Sequence, residues 1–387
     1  MQTIAPLALT VLVVFASPLV AADIRKWKFT RPVVLNTTES GANVRGDVKD
    51  YPLAIALDAE GLDFSQTKDD GGDVYFSADV DDASLPHDIE LWDAKAKRAL
   101  VWVKVPVVKG DSADQRIFMH WGNPNAAAVG DAAKVFSTAD GFVGVWHLDE
   151  EGNVEPDGYK DSTSNDAHAT GVNFKPGSRV DGRVGKAQRF NYADAQWIKV
   201  DSDKRKLFDL TNKLTFSIWA NARSFGNKGN EATKQMPGYE TMFAKGDNSW
   251  RLQKFGIRDW HKPPATLVEI CVEKAPKGDF CVFGPFDMQT NQWYHFVGVH
   301  DYPKARIYVN GVLDKEATFA DIEWTSGDHP VGIGNQSQFP QRGRQWDGVL
   351  DEARVLNVPK DEHWIKLDYE SQRDGQKLYT FGDLVRR

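Results

Sequence analysis

The stretch GVLDEARVL (Gly348–Leu356) places an acid inside an apolar strand pattern. In a β-strand alternate residues fall on opposite faces, so Asp351 would stand in line with Val349 and Val355. Such a carboxylate needs a partner, because an unpaired charge in an apolar setting is costly. The partner could be a metal ion, backbone amides or a basic side chain, although Arg354 would point to the other face of the strand.

Two loop-like stretches, NSWRLQKFGIRDWHK and NQSQFPQRGRQWDG, carry side chains of the kind that bind sugars. Aromatic rings stack on the apolar faces of sugars, and arginine hydrogen-bonds hydroxyls or pairs with acidic groups. Both stretches are basic, which suits an acidic polysaccharide or a protein interface. The tryptophans could instead be core or inter-domain packing residues. The candidate ligand-binding residues are Trp250, Arg251, Trp260, Arg342, Arg344 and Trp346.

His147, in VWHLDE, is a candidate general base. We favour a structural interpretation, in which a partly buried strand histidine is satisfied by a neighbouring group. The sequence contains no G-x-S-x-G motif and no phosphate-binding glycine loop. We therefore predict no catalytic residues.

The two cysteines, Cys271 and Cys281, flank a turn between two strand-like runs. A hairpin would place them nearly opposite each other, so we predict a disulfide in an oxidising compartment. Two separate buried thiols are the alternative.

The composition is that of a soluble globular protein, and 387 residues are enough for two domains. A net charge of −8 argues against nucleic acid or an anionic membrane as the main partner. Residues 1–22 combine a short apolar run with small residues before Asp23, and they predict a secretory signal peptide. An uncleaved membrane anchor is the alternative. The predicted location is periplasmic or extracellular.

Short alternating apolar runs, broken by Gly, Asn, Asp and Pro, predict an all-β chain of sandwiches. Clear runs are Leu214–Ala220, Trp293–Val299 and Arg306–Leu313. The last run contains Asn310-Gly311, which predicts a two-residue hairpin turn.

One helix is predicted over Lys360–Ser371, behind Pro359, with Trp364, Ile365 and Tyr369 turned toward the core. The strand pattern lapses between residues 123 and 140, which indicates a domain boundary. We therefore expect a smaller N-terminal β domain over residues 23–136 and a larger one over residues 141–384.

From Gly141 to Phe381 the chain carries a characteristic series of motifs. They run in the order GFVGVWHLDEEG, DSTSNDAHATG, GRVGKAQRF, LTFSIWANA, MFAKGD, NQWYHFVGVHD, ARIYVNGVLDK, VGIGNQ and GVLDEARVL. This ordered set resembles the LamG-like domains of the concanavalin A-like lectin/glucanase superfamily. The resemblance implies a jelly-roll sandwich of two antiparallel sheets, with one concave sheet whose face or rim binds sugars in lectin members.

The N-terminal part carries WKFTRPVVLN, DGGDVYF, IELWD, VWVKVP and IFMHWGNPNA. These motifs resemble an uncharacterised bacterial domain that often precedes a LamG-like domain, and we expect a smaller β-sandwich there. In some relatives the pair is followed by a proton-channel component that energises outer-membrane transport. No such part follows LYTFGDLVRR in this sequence.

Many LamG-like domains hold calcium, a cation that takes six to eight oxygen ligands. In that pattern, the aspartate of the DSTSN segment and that of the LDE strand meet around the ion. Carried onto this sequence, the resemblance implies a structural calcium site at Asp161, Asn165 and Asp351, with backbone carbonyls near Asn165 and His168.

Glucanase members carry an E-x-D-x-E array that aims acids into one cleft, as retaining hydrolysis requires. Asp149, Glu150 and Glu151 are consecutive here, and so are Asp351 and Glu352, so neither set would share one strand face. We therefore predict an exported, non-catalytic protein that binds a glycan, acidic glycans included, or an envelope protein. The alternatives are an adaptor for a TonB-type energised envelope transport system and a divergent polysaccharide-cleaving enzyme.

Overall fold

The computed structural model describes residues 26–80, 83–128, 130–200, 203–225, 238–246, 249–255, 267–274, 279–320, 323–337 and 343–387. The protein is 42% strand and 9% helix, which confirms the predicted all-β class. The predicted signal peptide, residues 1–22, lies outside the described residues.

The helices and strands of the described residues follow one another along the whole chain. The strands are β1 (Phe29–Leu35), β2 (Val48–Leu57), β3 (Tyr75–Ser77), β4 (His87–Asp93), β5 (Arg98–Val108), β6 (Gln115–Trp121), β7 (Phe142–Trp146), β8 (Ala169–Val172), β9 (Arg179–Asp181), β10 (Lys186–Phe190), β11 (Trp197–Val200), β12 (Lys213–Ala222), β13 (Glu240–Ala244), β14 (Arg251–Phe255), β15 (Leu267–Lys274), β16 (Asp279–Phe283), β17 (Trp293–Asp301), β18 (Lys304–Val309), β19 (Val312–Thr318), β20 (Trp324–Thr325), β21 (Gly332–Ile333), β22 (Gly348–Leu356), β23 (Tyr379–Phe381) and β24 (Val385–Arg386). The α-helices are α1 (Ala132–Val135) and α2 (Glu362–Gln372), and short 3-10 turns cover Phe64–Gln66, Thr138–Asp140, Tyr192–Asp194 and Arg205–Phe208.

Within the described residues these strands form four antiparallel sheets. Sheet I has the order β23-β1-β6-β3 with β24 beside β1, and sheet II has the order β2-β5-β4. Sheet III has the order β19-β18-β17-β12-β22-β10-β9 with β7 beside β22. Sheet IV has the order β16-β15-β14-β13-β21-β11-β8 with β20 beside β15. Sheets I and II are called the N-terminal domain below, and sheets III and IV the sandwich.

The sandwich core lies between sheets III and IV. Alternate residues of β12, Phe216 and Ile218, and Phe296 of β17 pack there against Phe243 and Leu252 of sheet IV. This face-to-face packing of two antiparallel sheets is the jelly-roll architecture that the resemblance implied, and the structure confirms it.

A second core lies between the N-terminal domain and the outer face of sheet III. Val297 and Val299 of β17 belong to it, together with Leu53 and Trp102 of sheet II and Trp364 of α2. Strands in the middle of sheet III are therefore apolar on both faces, because both faces are covered. The N-terminal domain is docked through an extensive apolar contact.

The chain returns to the N-terminal domain at its end. In β23, Phe381 pairs with Val33 of β1, and in β24, Val385 pairs with Thr30 of the same strand. Sheet membership thus places β23 and β24 with the N-terminal strands, although they fall within or just after the predicted range 141–384.

The local predictions for the hairpin and the helix are confirmed. Val309 pairs with Val312, and the intervening Asn310 and Gly311 have φ of 51° and 74°. Helix α2 begins two residues later than predicted, behind Asp361, whose side chain accepts a hydrogen bond from a backbone N–H of the first turn. Of its predicted core residues, Trp364 and Ile365 are buried, and Tyr369 is half-buried.

Strand β22 contains a β-bulge that changes the predicted faces. Ser217 of β12 pairs with Arg354, but Trp219 pairs with Asp351, so two residues of β22 oppose one of β12. Glu352, at the bulge, has φ of 52°. Leu350 and Ala353 consequently share the sandwich core. The predicted alignment of Asp351 with Ala353 and Val355 is therefore wrong.

Candidate functional site

Asp351 is fully buried and binds backbone amides. Its Oδ2 accepts hydrogen bonds from the N–H groups of Arg183 (2.7 Å) and Val184 (2.9 Å). Its Oδ1 is buried without a hydrogen-bond partner among the described residues. Burial, together with the nearby Glu352 carboxylate, raises the pKa of Asp351 well above its usual range. The capping of backbone amides, one of the alternatives open from the sequence, is what the structure shows.

Asp161 binds a different set of donors. Its Oδ1 accepts from the backbone N–H groups of Val145 (2.9 Å) and Thr163 (3.0 Å). Its Oδ2 accepts from the Thr163 hydroxyl (2.8 Å) and the Ala167 N–H (2.9 Å). Both oxygens are therefore saturated, and Asp161 holds the DSTSN turn against β7.

The predicted calcium ligands do not form one shell in the structure. Asp161 and Asp351 have no partner in common, and the four hydrogen bonds to Asp161 occupy its lone pairs. The carbonyl oxygen of Asn165 accepts from the Lys204 ammonium at 2.9 Å, which puts a cation where the shell would be. The hydrogen bonds of Asp161 and Asn165 disfavour a calcium ion beside them, and the shared site implied by the resemblance stays a prediction.

Two of the predicted ligand-binding tryptophans are core residues. Trp250 packs against Phe216 and Phe243, and its indole N–H donates to the carbonyl of Phe208. Trp346 is fully buried in the same core. Neither ring presents a face to a ligand, so the stacking role predicted for them is wrong, and core packing, the alternative, is observed.

The two predicted arginines that the structure describes lie on sheet IV or at its edge. Arg251 donates to Cys281 Sγ at 3.5 Å. Arg344 donates to Gln336 Oε1 at 2.8 Å, and its guanidinium lies over the Tyr239 ring at 4.9 Å. Both side chains are buried. Trp260 and Arg342 lie outside the described residues.

The cysteine prediction concerns the β15–β16 hairpin. Cys271 and Cys281 are direct partners in the strand register, as expected. Cys281 is disulfide-bonded, while the side chain of Cys271 lies outside the described part of the chain.

A chain of buried charges crosses the boundary between the N-terminal domain and the sandwich. His147 Nδ1 lies 2.6 Å from Glu352 Oε1 and 3.3 Å from Glu90 Oε2. The Arg354 guanidinium binds Glu352 Oε2 through Nη2 (2.5 Å) and Asp368 Oδ1 through Nη1 (3.0 Å). These five residues are called the junction cluster below.

The junction cluster joins four separate elements. Glu90 lies on β4, His147 follows β7, Glu352 and Arg354 lie on β22, and Asp368 lies on α2. The bulge in β22 lets consecutive acids serve the same side of sheet III, so Asp351 binds amides of the β9–β10 turn while Glu352 binds His147. The expectation that these two acids cannot share a face is therefore wrong. His147 has the neighbouring partner that the structural interpretation requires, the Glu352 carboxylate at 2.6 Å.

The pKa values of two members of the junction cluster, Glu90 and His147, are strongly raised. Burial raises the pKa of Glu90 to about 8, against the lowering effect of His147. Burial alone would lower the pKa of His147, but the Glu352 and Glu90 carboxylates outweigh it and raise that pKa to about 10. His147 is therefore an imidazolium that pairs with the Glu352 carboxylate at neutral pH, while Glu90 is mostly protonated below pH 8.

The same groups lie close enough to suggest a metal centre, since one ligand atom each of Glu90, His147 and Glu352 lies within 4.8 Å of the others. Two observations favour the ion-pair interpretation. Arg354 already binds Glu352, so a divalent ion there would face a guanidinium. The 2.6 Å separation of His147 and Glu352 is also a hydrogen-bond distance, shorter than two ligands of one metal ion normally approach.

A cavity of about 830 Å³ opens beside the junction cluster. Its walls are sheet II with Arg31 of β1, the β9–β10 turn at residues 181–185, and the chain from the end of α2 to β23. We call it the junction cavity. Its charged lining is balanced, with four guanidinium groups and four carboxylates: Arg31, Arg98, Arg183, Arg373, Asp58, Glu60, Asp181 and Asp374.

Two of these arginines are accessible at the wall. The Arg98 side chain is 46% exposed and lies 3.8 Å from Asp181. The Arg373 side chain is 32% exposed and binds Glu370. Arg183, in contrast, is held in place, because its guanidinium binds Asp374 and lies over the Trp219 ring at 5.5 Å.

Sequence reasoning missed Glu90, Arg354, Asp368 and the junction cavity. A signal was present, since Glu90 in IELWD, His147 in VWHL and Glu352 in VLDEARVL each interrupt an apolar strand run. Three such interruptions with complementary charge indicate buried partners. The sequence around each of these residues does not show which of the three contact one another.

The comparison with protein families confirms both resemblances. Residues 192–366 match the model described as the Concanavalin A-like lectin/glucanases superfamily, and residues 70–149 match Domain of unknown function (DUF2341). The chain thus contains a concanavalin A-like domain preceded by a DUF2341 domain. A search of curated proteins finds no match.

Several solved structures are similar in fold. The binding domain of Paraclostridial Mosquitocidal Protein 1 is 15% identical with a TM-score of 0.43, and the match covers 60% of this chain and 52% of that one. Domain 4 of AbnA, a GH43 extracellular arabinanase from Geobacillus stearothermophilus in complex with arabinotriose, is 18% identical with a TM-score of 0.41, covering 59% and 98%. The botulinum neurotoxin serotype D binding domain is 12% identical with a TM-score of 0.41, covering 62% and 53%.

This chain spans about half the length of the first and third of these structures. The TM-scores are all below 0.5, so the fold assignment depends on the family model and the strand order. Among the described residues, the helices are too short or too polar to cross a membrane.

Proposed function

We propose that this protein binds a glycan, without cleaving it, in the junction cavity. The observation that carries the proposal is the cavity itself, about 830 Å³ in volume and lined by guanidinium groups and carboxylates from both domains. Small-molecule sites commonly have volumes of roughly 300–1,000 Å³ and a few convergent polar groups. A concanavalin A-like domain is a scaffold compatible with sugar recognition, and the fold alone does not assign the ligand.

The chemistry of the walls favours an oxygen-rich ligand. Guanidinium groups donate to hydroxyls and carboxylates accept from them, so together they can bind neighbouring hydroxyls of one sugar ring. The half-buried ring of Phe381 and the side chain of Leu91 add apolar surface to the walls. Because the charges balance, the lining favours neutral glycans, in contrast to the acidic ligand suggested by the basic stretches of the sequence.

The ionisation of the acids supports binding without cleavage. A glycosidase needs an acid whose raised pKa lets it donate a proton. Lys186, by hydrogen bond and by charge, lowers the pKa of Asp181 on the cavity wall. Glu90 and Asp351, whose pKa values are raised, are buried and do not line the cavity.

We also place this activity outside the cytoplasm, in the periplasm or beyond the cell. The apolar run in residues 1–22 and the disulfide-bonded Cys281 support export. An envelope protein that offers a similar pattern of acceptors and donors is the competing ligand.

Glycan-array screening followed by calorimetry tests the proposal. The double variant Arg98→Ala/Arg373→Ala removes two accessible donors of the cavity wall, and we expect it to weaken binding by about tenfold or more. Arg45→Ala, an exposed arginine outside the cavity, is the matched control and should bind normally.

Silence across the array, or unchanged affinity in the double variant, would contradict the proposal. A stable partner captured from envelope extracts in place of a glycan would support the adaptor alternative. Release of reducing sugar from a polysaccharide would support the enzyme alternative.

A further inference from the structure

We infer that the junction cluster is a positioning device for the junction cavity, so that residues which never touch the ligand set its affinity. Two experiments test this inference, and only the one that measures glycan binding depends on the proposed function. The five cluster residues, Glu90, His147, Glu352, Arg354 and Asp368, are absent from the cavity lining. Any effect on binding must therefore pass through the walls.

The first wall is tied to the cluster through Glu90. This residue precedes the lining residue Leu91 on β4, and its Oε2 accepts the indole N–H of Trp102 at 2.6 Å. Its Oε1 lies beside Gly185 on the opposite wall, where an added Cβ would be only 2.3 Å away. Gly185 also has φ of 54°, so both space and backbone conformation require glycine there. Sheet II and the β9–β10 turn thus meet at Glu90.

The second wall, the β9–β10 turn, is held from β22. Asp351 Oδ2 receives the backbone N–H groups of Arg183 and Val184, both on the cavity wall. Asp351 directly precedes Glu352 at the bulge. A shift of β22 that separated Glu352 from His147 would therefore move the turn as well.

The third wall, the end of α2, is held through Asp368. Its Oδ1 accepts from Gln372 Nε2 at 2.6 Å, and Arg354 binds the same oxygen. Ser371, the lining residue that precedes Gln372, forms a hydrogen bond of 2.7 Å with the Tyr51 hydroxyl of β2. This wall is thus attached to both β22 and the N-terminal domain.

The cluster can hold the walls because its buried side chains have no water to replace a lost partner. All five side chains are at least nine-tenths buried. Moving one partner away would leave another charge unpaired in a medium that solvates it poorly. The walls therefore have one favoured relative position, which is the preorganisation that ligand binding needs.

Hydrogen–deuterium exchange of the full chain tests the inference without any ligand. Glu90→Gln keeps one oxygen for Trp102 but replaces the other carboxyl oxygen with an NH₂ group, and His147→Gln removes the central cation. We expect both to raise exchange in residues 181–185 and 371–376 by about tenfold, while β13 and β14 of sheet IV stay unchanged. The matched control is Glu316→Gln, which breaks the partly exposed pair with Arg306 and should leave both walls unchanged.

Unchanged exchange in the two walls would overturn the inference, and so would a uniform rise through sheet IV, which would indicate general destabilisation. If Zn²⁺ raises the melting temperature of the wild type but not of His147→Gln, the cluster is a metal centre and the inference also fails.

In the ligand arm, any array-positive glycan should bind both cluster variants about tenfold more weakly, although they retain every lining residue. Equal affinity for wild type and variants would contradict the inference while leaving the proposed function intact. If the array is silent, the proposed function fails and the exchange result still decides the inference.

Discussion

Two buried aspartates in this protein, Asp161 and Asp351, differ in where their hydrogen-bond partners come from. Asp161 accepts four hydrogen bonds from within 16 residues of itself along the chain, and both oxygens are used. Asp351 uses only one oxygen, on amides 167 and 168 residues away, and stands beside a second acid, Glu352. A single acid can be satisfied by nearby backbone amides. The pair of acids on β22 has two cations beside it, Arg354 from the same strand and His147 from the distant end of β7.

That contrast also explains how the two domains are joined. The DSTSN turn that holds Asp161 is a local unit of the sandwich. The region around Asp351 and Glu352 is complete only when β4 supplies Glu90 and α2 supplies Asp368. Buried charges at a boundary make docking specific, because a misplaced partner leaves a charge unpaired.

The largest expected effect comes from Arg354→Met, which removes the cation shared by Glu352 and Asp368. Breaking a buried ion pair from one side costs about 3–5 kcal/mol, and we expect a loss of that size in the free energy of unfolding. Urea denaturation followed by circular dichroism measures it. Arg306→Met, in a more exposed ion pair, should cost about 1 kcal/mol or less.

A loss below about 1 kcal/mol for Arg354→Met would show that the cluster contributes little to docking. If this variant does not fold, Arg354→Lys, which keeps a positive charge, should fold with an intermediate loss.

The comparison of the two aspartates is sharpened by paired amide variants. Asp161→Asn turns an NH₂ group toward the Thr163 hydroxyl or backbone N–H groups, and we expect a loss of about 2 kcal/mol. Asp351→Asn keeps an oxygen for its two amides and replaces an oxygen that has no partner, so about 1 kcal/mol or less is expected. Thermal and urea unfolding give the order.

The same variants test the metal. A chelator should leave the wild-type melting temperature unchanged, because the described hydrogen bonds of Asp161 use both of its oxygens and give it no partner in common with Asp351. Destabilisation by chelator that disappears in both variants would restore the predicted calcium site.

The last expected effect is a pH dependence of stability. The pKa of Glu90, about 8, and that of His147, about 10, are both raised above unfolded values. Between pH 6.5 and 8 the folded state therefore holds protons that the unfolded chain has released, so stability falls as pH rises. The two groups together set an upper limit of about 2 kcal/mol per pH unit on this decline.

His147→Gln should flatten that decline, as measured by urea midpoints at several pH values. Equal slopes in wild type and His147→Gln would contradict the assignment of charge in the cluster.

Much of the fold follows from local sequence signals. Alternation in LTFSIWANA and WYHFVGVHD, the Asn310-Gly311 turn and the start of α2 are all predicted by interactions within a few residues. The order of motifs adds the jelly roll. The prediction for β22 is wrong, because a bulge depends on how a strand pairs with β12, and that pairing is not visible in the strand itself.

Most of the candidate site could not be predicted from local sequence patterns. Trp250 and Trp346 lie in sequence contexts typical of sugar-binding loops, but both are core residues. Aromatic side chains serve in cores and in sugar-binding surfaces alike, so residue type does not separate the two roles. The junction cavity is formed by segments near residues 31, 58, 98, 183 and 373, which no local pattern connects.

By itself the sequence determined the all-β class, the positions of several strands and the presence of acids that need partners. These are consequences of periodicity and of the cost of burying charge, and both can be read from neighbouring residues. Only the tertiary structure decided which charges meet: Glu90 with His147 and Glu352, and Arg354 with Asp368. Coulombic pairing depends on distance in space, and the docking of the N-terminal domain on sheet III sets that distance.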